Sequence, residues 1–275
     1  MTARPATRQA VGLRPGPLPR VASVVLNRPE RASAIDTAFA NDLPGVAFEA
    51  DRLAAEGALD AVLIWVVGTA FCVGGDLNDV PTEQVAATPH LHAKSVRQHE
   101  AFAMLYELPV PILCRVRGVA AGAGIGVRLA AMGDLVIASS TARFVDGYAG
   151  VALSPDFGTS WLLPRVIGER HPLDLLLTNR TIDATEAERW GLVTRVVSPG
   201  DLDDEVDRLL RAVVAACAAP TMATKRLIRS GRRSPLRSHL ADEGTTISLL
   251  GATDKAIQAL SVFAARRQTD RTENR

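Results

Sequence analysis

AVLIWVVGTAFCVGGDL, residues 61–77, sets the architecture of this chain. It opens on an unbroken apolar run, AVLIWVV at 61–67, too short for a long helix and rich in β-branched side chains, the pattern of a strand buried on both faces. The glycines that follow at 74–75 let the backbone approach a ligand closely and leave amide N–H groups free to donate. The same order recurs downstream. Ile112–Val116 reads as a second buried strand, GVAAGAGIG at 118–126 as a second glycine turn, Val127–Met132 as a helix and Leu135–Ala138 as a third strand. Strand, glycine turn, helix, strand is α/β organisation.

Upstream, Gln9–Leu13 and Val21–Leu26 flank RPGPLP at 14–19 and read as a β-hairpin. Thr37–Gly57 has apolar residues at helical spacing with Asp36 as N-cap, and residues 90–108 form an amphipathic helix ended by Pro109-Val-Pro111. Helices are expected at 172–178, 184–190, 201–219, 220–230 and 238–266, interrupted by a strand at Val193–Val197. The expected division is a weakly ordered leader with the start of the hairpin at 1–20, a core at 21–200 and a helical region at 201–275.

At 275 residues and 47% hydrophobic, the chain has enough apolar material for one large core. A net charge of +1 argues against a general polyanion binder, so no nucleic-acid partner is expected. Three cysteines without CxxC or Cys/His spacing fit a reduced, cytoplasmic setting with no disulfide frame and no metal site. The leader carries arginines and no acid before Glu30, but lacks the apolar stretch of a secretory signal; a mitochondrial-type presequence stays open. No apolar run reaches the roughly 20 residues that span a bilayer, so no membrane insertion is expected.

Neither glycine run matches a phosphate-binding loop or a dinucleotide fingerprint, and GxSxG is absent. His90 and His92 sit beside Pro89 in an expected surface loop, and His99 lies on the helix before Pro109. In FVDGYAGVALSPDFGTSWLLPR, residues 144–165, Asp156 stands in an apolar neighbourhood. It reads either as an acid–base group or as a cap for a helix starting near Thr159.

LNRPER at 26–31, FCVGGDL at 71–77, GVAAGAG at 118–124 and SPDFGTSWLLPR at 154–165 occur in an order and at intervals that resemble the crotonase (enoyl-CoA hydratase/isomerase) superfamily. LTNRTI at 177–182 and ERWGLV at 188–193 continue the likeness, which runs from about residue 20 to 267. The resemblance implies a spiral of ββα repeats with a C-terminal helical region used in trimerisation, and a homotrimer or hexamer. It implies an acyl-CoA thioester as substrate, with no cofactor beyond the coenzyme A that the substrate carries. By position, the backbone N–H groups of Gly75 and Ala123 would form the oxyanion hole for a thioester enolate, within the turns Phe71–Leu77 and Gly122–Gly124. Arg28, Arg31, Ala34, Phe71, Val73, Gly74, Asp76 and Leu77 would line the coenzyme A cleft, with Phe263 and Arg266 from the tail holding the nucleotide.

Hydratases of the family use two glutamates to add water. Their positions fall here on Gly126 and on Tyr148, and Ser33 replaces the family's usual asparagine. Asp156, twelve residues after Phe144, occupies the place of the aspartate that shuttles a proton in the family's double-bond isomerases. The expected function is therefore isomerisation of an enoyl-CoA with a single aspartate, Tyr148 and His99 shaping the pocket. Enoyl-CoA hydration, dehalogenase- or hydrolase-like chemistry using Asp156 and His99, and a coenzyme A-binding pseudoenzyme are the alternatives.

Overall fold

The computed structural model describes residues 9–81, 84–121 and 130–273. The strands are β1 (Val11–Pro15), β2 (Val21–Leu26), β3 (Ala61–Val66), β4 (Ile112–Val116), β5 (Val119–Ala121), β6 (Leu135–Ser139), β7 (Arg143–Val145), β8 (Thr181–Asp183) and β9 (Arg195–Val197). One six-stranded sheet has the order β1-β2-β3-β4-β6-β9, and one three-stranded sheet the order β5-β7-β8. In the large sheet only the β1–β2 hairpin is antiparallel; β2 through β9 pair in parallel. Parallel strands covered on both faces need apolar residues at every position, which is why β2, β3 and β4 lack polar alternation.

The helices follow from periodicity. In α1 (Thr37–Ala55), Phe39, Leu43, Val46, Ala47, Ala50 and Ala54 form a buried stripe, and Asp36 caps the helix by accepting from Phe39 N–H at 3.0 Å, as its sequence predicts. This helix packs on β1 and on α2 (Gln84–Glu107). Alternate residues of the sheet, Val21, Ala61, Leu63, Leu113 and Ile137, meet Leu202, Val206, Leu209 and Leu210 of a later helix, Leu202–Ala215.

That last contact moves the expected boundary. The helix 202–215 packs against the sheet, and the chain divides into compact units at Met1–Ala215 and Ala216–Arg275, not at 200. Three other expectations change. The helix expected from 90 begins at Gln84 and runs through Pro89, so His90 and His92 lie on α2 and not in a loop. Proline there forfeits one helical hydrogen bond without ending the helix. The single helix expected over 238–266 is two, Leu236–Gly251 and Asp254–Glu273. The short strands β5, β7 and β8 form a second sheet not foreseen at all, since three residues carry too little period to read.

Further helices are α3 (Thr159–Ile167), α4 (Arg170–Thr178) and α5 (Ala184–Trp190); 202–215 is α6, 218–231 α7, 236–251 α8 and 254–273 α9. Among the described residues, no helix is long and apolar enough to cross a membrane.

Candidate active site

The loop after β3 is held at both edges. Cys72 pairs with Ala120 of β5: its N–H donates to the Val119 carbonyl at 3.1 Å and its carbonyl accepts from Ala121 N–H at 2.7 Å. On the other edge Ile35 pairs with Gly75. Ile35 N–H donates to the Gly74 carbonyl at 2.8 Å, and Asp76 N–H donates to the Ile35 carbonyl at 3.0 Å. Parallel pairing of this kind uses the groups that flank Gly75, so the N–H of Gly75 itself points away from Ile35. Gly74 has φ +91°, a region closed to L side chains, and this turn sets the direction of the next amide. The Cys72 thiol fixes the turn further, donating to the Ser33 carbonyl at 3.1 Å and accepting from Gly74 N–H at 3.4 Å.

Gly75 lines a cleft together with Tyr148, Leu153, Asp156 and Phe157 from the segment before α3, and Ser95 and Gln98 from α2. At its centre, the Asp156 carboxylate is gripped by two hydroxyls. Tyr148 donates to Oδ1, and Ser95 donates to Oδ2 at 3.2 Å. The Tyr148 hydroxyl in turn accepts from Asp156 N–H at 3.2 Å, which fixes the direction of its own proton. Tyr148 is buried, whereas the Asp156 side chain keeps 33% exposure. The expected apolar pocket is therefore a half-open one with hydroxyl donors. The N-cap of α3 is Gly158, and Thr159 N–H donates to the Asp156 backbone carbonyl at 3.1 Å.

Phe157 and Gly158 follow in the left-handed region, at φ +51° and +74°. Such a conformation is costly for phenylalanine and is held in place by its surroundings. Phe157 N–H donates to His99 Nε2 at 3.0 Å, and the two rings meet edge to face with centroids 4.8 Å apart. The same Nε2 lies 3.9 Å from Asp156 Oδ2. His99 positions the Asp156–Phe157 turn.

A second, more open cleft shares Gly75 and Asp76 with the first and is also lined by Arg31, Ala34, Val73 and Asn78. Arg31 is half exposed and pairs with Asp76 at 2.9 Å. Burial tends to raise the Asp76 carboxyl, but the Asn78 N–H and side-chain amide and the Arg31 guanidinium outweigh it and hold it below its usual range. Arg28 is less available: with its side chain 16% exposed, it is tied to Asp36 at 2.8 Å and to Glu30 at 2.9 Å. Asp79 is likewise held low: burial opposes this, but the Thr37 hydroxyl and Lys94 prevail. Lys94 also donates to the Ile35 carbonyl at 3.1 Å, pinning α2 to the segment that braces Gly75.

Of the other expected site residues, Phe71 is fully buried in the core and Gly74 is buried under the turn. Leu77 opens the short turn Leu77–Asp79. Phe263 belongs to the C-terminal unit, where it is exposed. Gly122, Ala123 and Gly124 lie outside the described residues, as does the side chain of Arg266. Sequence reading missed Lys94, Ser95 and Gln98. Their signal is weak but present: Leu91, Lys94, Ser95 and Gln98 share one face of α2 at helical spacing, where an ordinary core stripe would be apolar. Gln98 is fully buried, and neither atom of its side-chain amide has a hydrogen-bond partner among the described residues. A buried amide left so costs about 1–3 kcal/mol.

Residues 19–274 match the family model for enoyl-CoA hydratase/isomerase. Among curated relatives, 1,2-epoxyphenylacetyl-CoA isomerase of Escherichia coli is 32% identical over 248 residues, covering 90% of this chain and 93% of the relative. 4-Chlorobenzoyl coenzyme A dehalogenase-1 of Arthrobacter is 32% identical over 188 residues, covering 68% and 67%. Among solved structures, the enoyl-CoA hydratase of Mycobacterium smegmatis superposes with a TM-score of 0.83 at 28% identity, covering 94% of this chain and 97% of that one. With the braced glycine turn, the two clefts that share it and a match that spans nearly the whole chain, the protein belongs to the enoyl-CoA hydratase/isomerase family, the crotonase superfamily of enzymes.

Proposed function

We propose that this enzyme moves a double bond along the acyl chain of a coenzyme A thioester, from Δ3 to Δ2, with Asp156 as its single proton carrier. The observation that carries the reading is the grip of Tyr148 and Ser95 on Asp156, one hydroxyl to each carboxylate oxygen. A carboxylate oxygen has two lone pairs, so one that accepts from a single hydroxyl can also face substrate. The carboxylate takes a proton from Cα, and the C–H electron pair enters the thioester as an enolate conjugated with the Δ3 double bond. The carboxyl then returns a proton to Cγ, the Δ2 bond forms and the enolate charge is discharged. Between the two steps the negative oxygen needs fixed donors. Gly75 N–H supplies one, and by family position Ala123 N–H supplies the other; such a donor is worth about 10²–10³ in rate.

Water addition is poorly served. Tyr148, standing where a hydratase carries a glutamate, commits its proton to Asp156 and accepts from the Asp156 N–H. The likeness to a 4-chlorobenzoyl-CoA dehalogenase favours a hydrolytic second reading, but that chemistry asks a histidine to activate water, and His99 Nε2 already accepts from Phe157. Arg31 is the better candidate for a phosphate of coenzyme A, since its side chain is 52% exposed and that of Arg28 16%. Helices α7 and α8 bury none of their residues within the chain, which supports a trimer or hexamer built through the C-terminal unit.

The test is product distribution from a 3-enoyl-CoA and from the matching 2-enoyl-CoA. The expected result is conversion of the former to the latter, with hydration slower by about 10²-fold, the lower end of what one positioned acid–base group contributes. A 3-hydroxyacyl-CoA as the main product, or free acid, would overturn the assignment.

A further inference from the structure

Gln98 is a polar side chain of the inner cleft whose chemistry the isomerisation does not use. It is 0% exposed, it lines the same cleft as Asp156, and both its amide nitrogen and its amide oxygen lack a partner among the described residues. Buried polar groups in folded proteins are hydrogen-bonded almost without exception, so an orphaned amide at a cleft wall calls for an explanation. If the acyl group were a plain hydrocarbon, an apolar residue would fill this wall at no such penalty.

The position of Gln98 says which part of a ligand it meets. Along α2, Lys94 reaches the Ile35 carbonyl, beside the Gly75 turn, and Ser95 reaches Asp156. Gln98 stands on the same face one turn further on, roughly 5 Å along the helix axis. It thus lies beyond the proton-transfer group when counted from the Gly75 end, while Arg31 and Asn78 line the more open cleft that shares Gly75 and Asp76. An atom that reaches Gln98 belongs to the acyl group, a few bonds past the carbons that exchange protons.

Resting on the acyl-CoA reading above, we propose that Gln98 is a specificity-determining residue for an acyl group that carries a hydroxyl. The hydroxyl accepts from the Gln98 amide nitrogen or donates to its oxygen, and replaces the bond that the fold withholds. A site built to hydrogen-bond a substrate oxygen discriminates against the analogue without it, because that analogue leaves the polar group unpaired.

The experiment is calorimetric binding of hexanoyl-CoA and of its 4-, 5- and 6-hydroxy forms to the full-length enzyme. These are saturated thioesters that lack the double bond. At least one hydroxy form should bind about 10-fold more tightly than hexanoyl-CoA, equivalent to about 1.4 kcal/mol. Gln98→Met, apolar and of similar length, should abolish that preference. Equal affinities across the wild-type series would overturn the inference without need of any variant, as would a preference that survives in Gln98→Met. Binding of none of the four thioesters would overturn the acyl-CoA reading itself, and the inference with it.

Discussion

Asp156→Asn is expected to lower isomerase turnover by about 10²–10⁴-fold while leaving the affinity for an acyl-CoA thioester within a few-fold of wild type. Asparagine keeps the shape of the side chain and an oxygen that can accept from Tyr148 or Ser95, so the cleft wall persists. It has no carboxylate lone pair with which to take the Cα proton. In the proposed reading the thioester is held elsewhere, by the Gly75 amide and by the outer cleft lined by Arg31, Ala34 and Asn78. The loss therefore belongs in kcat with binding spared, the signature of a group used in the transition state. Steady-state kinetics of the 3-enoyl-CoA reaction beside a direct binding measurement separates the two. Turnover that survives the substitution within a few-fold removes Asp156 as proton carrier.

Gly118→Ala is expected to destabilise the core unit by about 2–5 kcal/mol, combining the cost of a left-handed alanine with that of an overpacked contact. Gly118 joins β4 to β5 at φ +64°, and a Cβ placed on it would overlap the Thr69 carbonyl. That carbonyl belongs to the loop between β3 and Phe71, so the clash falls on the segment that carries the oxyanion turn. The Gly118 carbonyl also accepts from Arg143 N–H at 3.0 Å, tying β7 to the same corner. The variant should unfold at lower urea concentration, and the fraction that stays folded should turn over more slowly, because β5 no longer braces Cys72 in register. A change in unfolding free energy below about 1 kcal/mol would show that the corner relaxes freely and that the register of the turn is held by other contacts.

These two positions show what a sequence makes visible. Buried parallel strands such as Ala61–Val66 and Ile112–Val116 announce themselves as unbroken apolar runs, because both faces of the sheet are covered. The Asp36 cap and the apolar stripe of α1 are equally plain, being local. Asp156 and Tyr148 could be picked out, but not their hydrogen bond, since the chain between them turns through a left-handed residue, Ala152, that no periodicity signals. Residues 78–103 could be expected to supply the pocket wall, but Pro89 hid the first turn of α2, and nothing in the composition of the segment singled out Lys94, Ser95 or Gln98. The arginines were the subtler matter. Arg28 and Arg31 are alike in sequence, and only the placement of Asp36 and Glu30 leaves one enclosed and the other half exposed.

The account turns on one group carrying one proton between two carbons. Incubation of a 3-enoyl-CoA with the wild-type enzyme in deuterium oxide, followed by mass and NMR analysis of the product, tests this most directly. Asp156 is partly open to solvent, so its proton exchanges between the two steps in a share of turnovers. The predicted result is a 2-enoyl-CoA that carries deuterium at Cγ and no added oxygen, with this exchange lost in Asp156→Asn. A 3-hydroxyacyl-CoA with deuterium at Cα, or deuterium at Cγ that persists in Asp156→Asn, would contradict it.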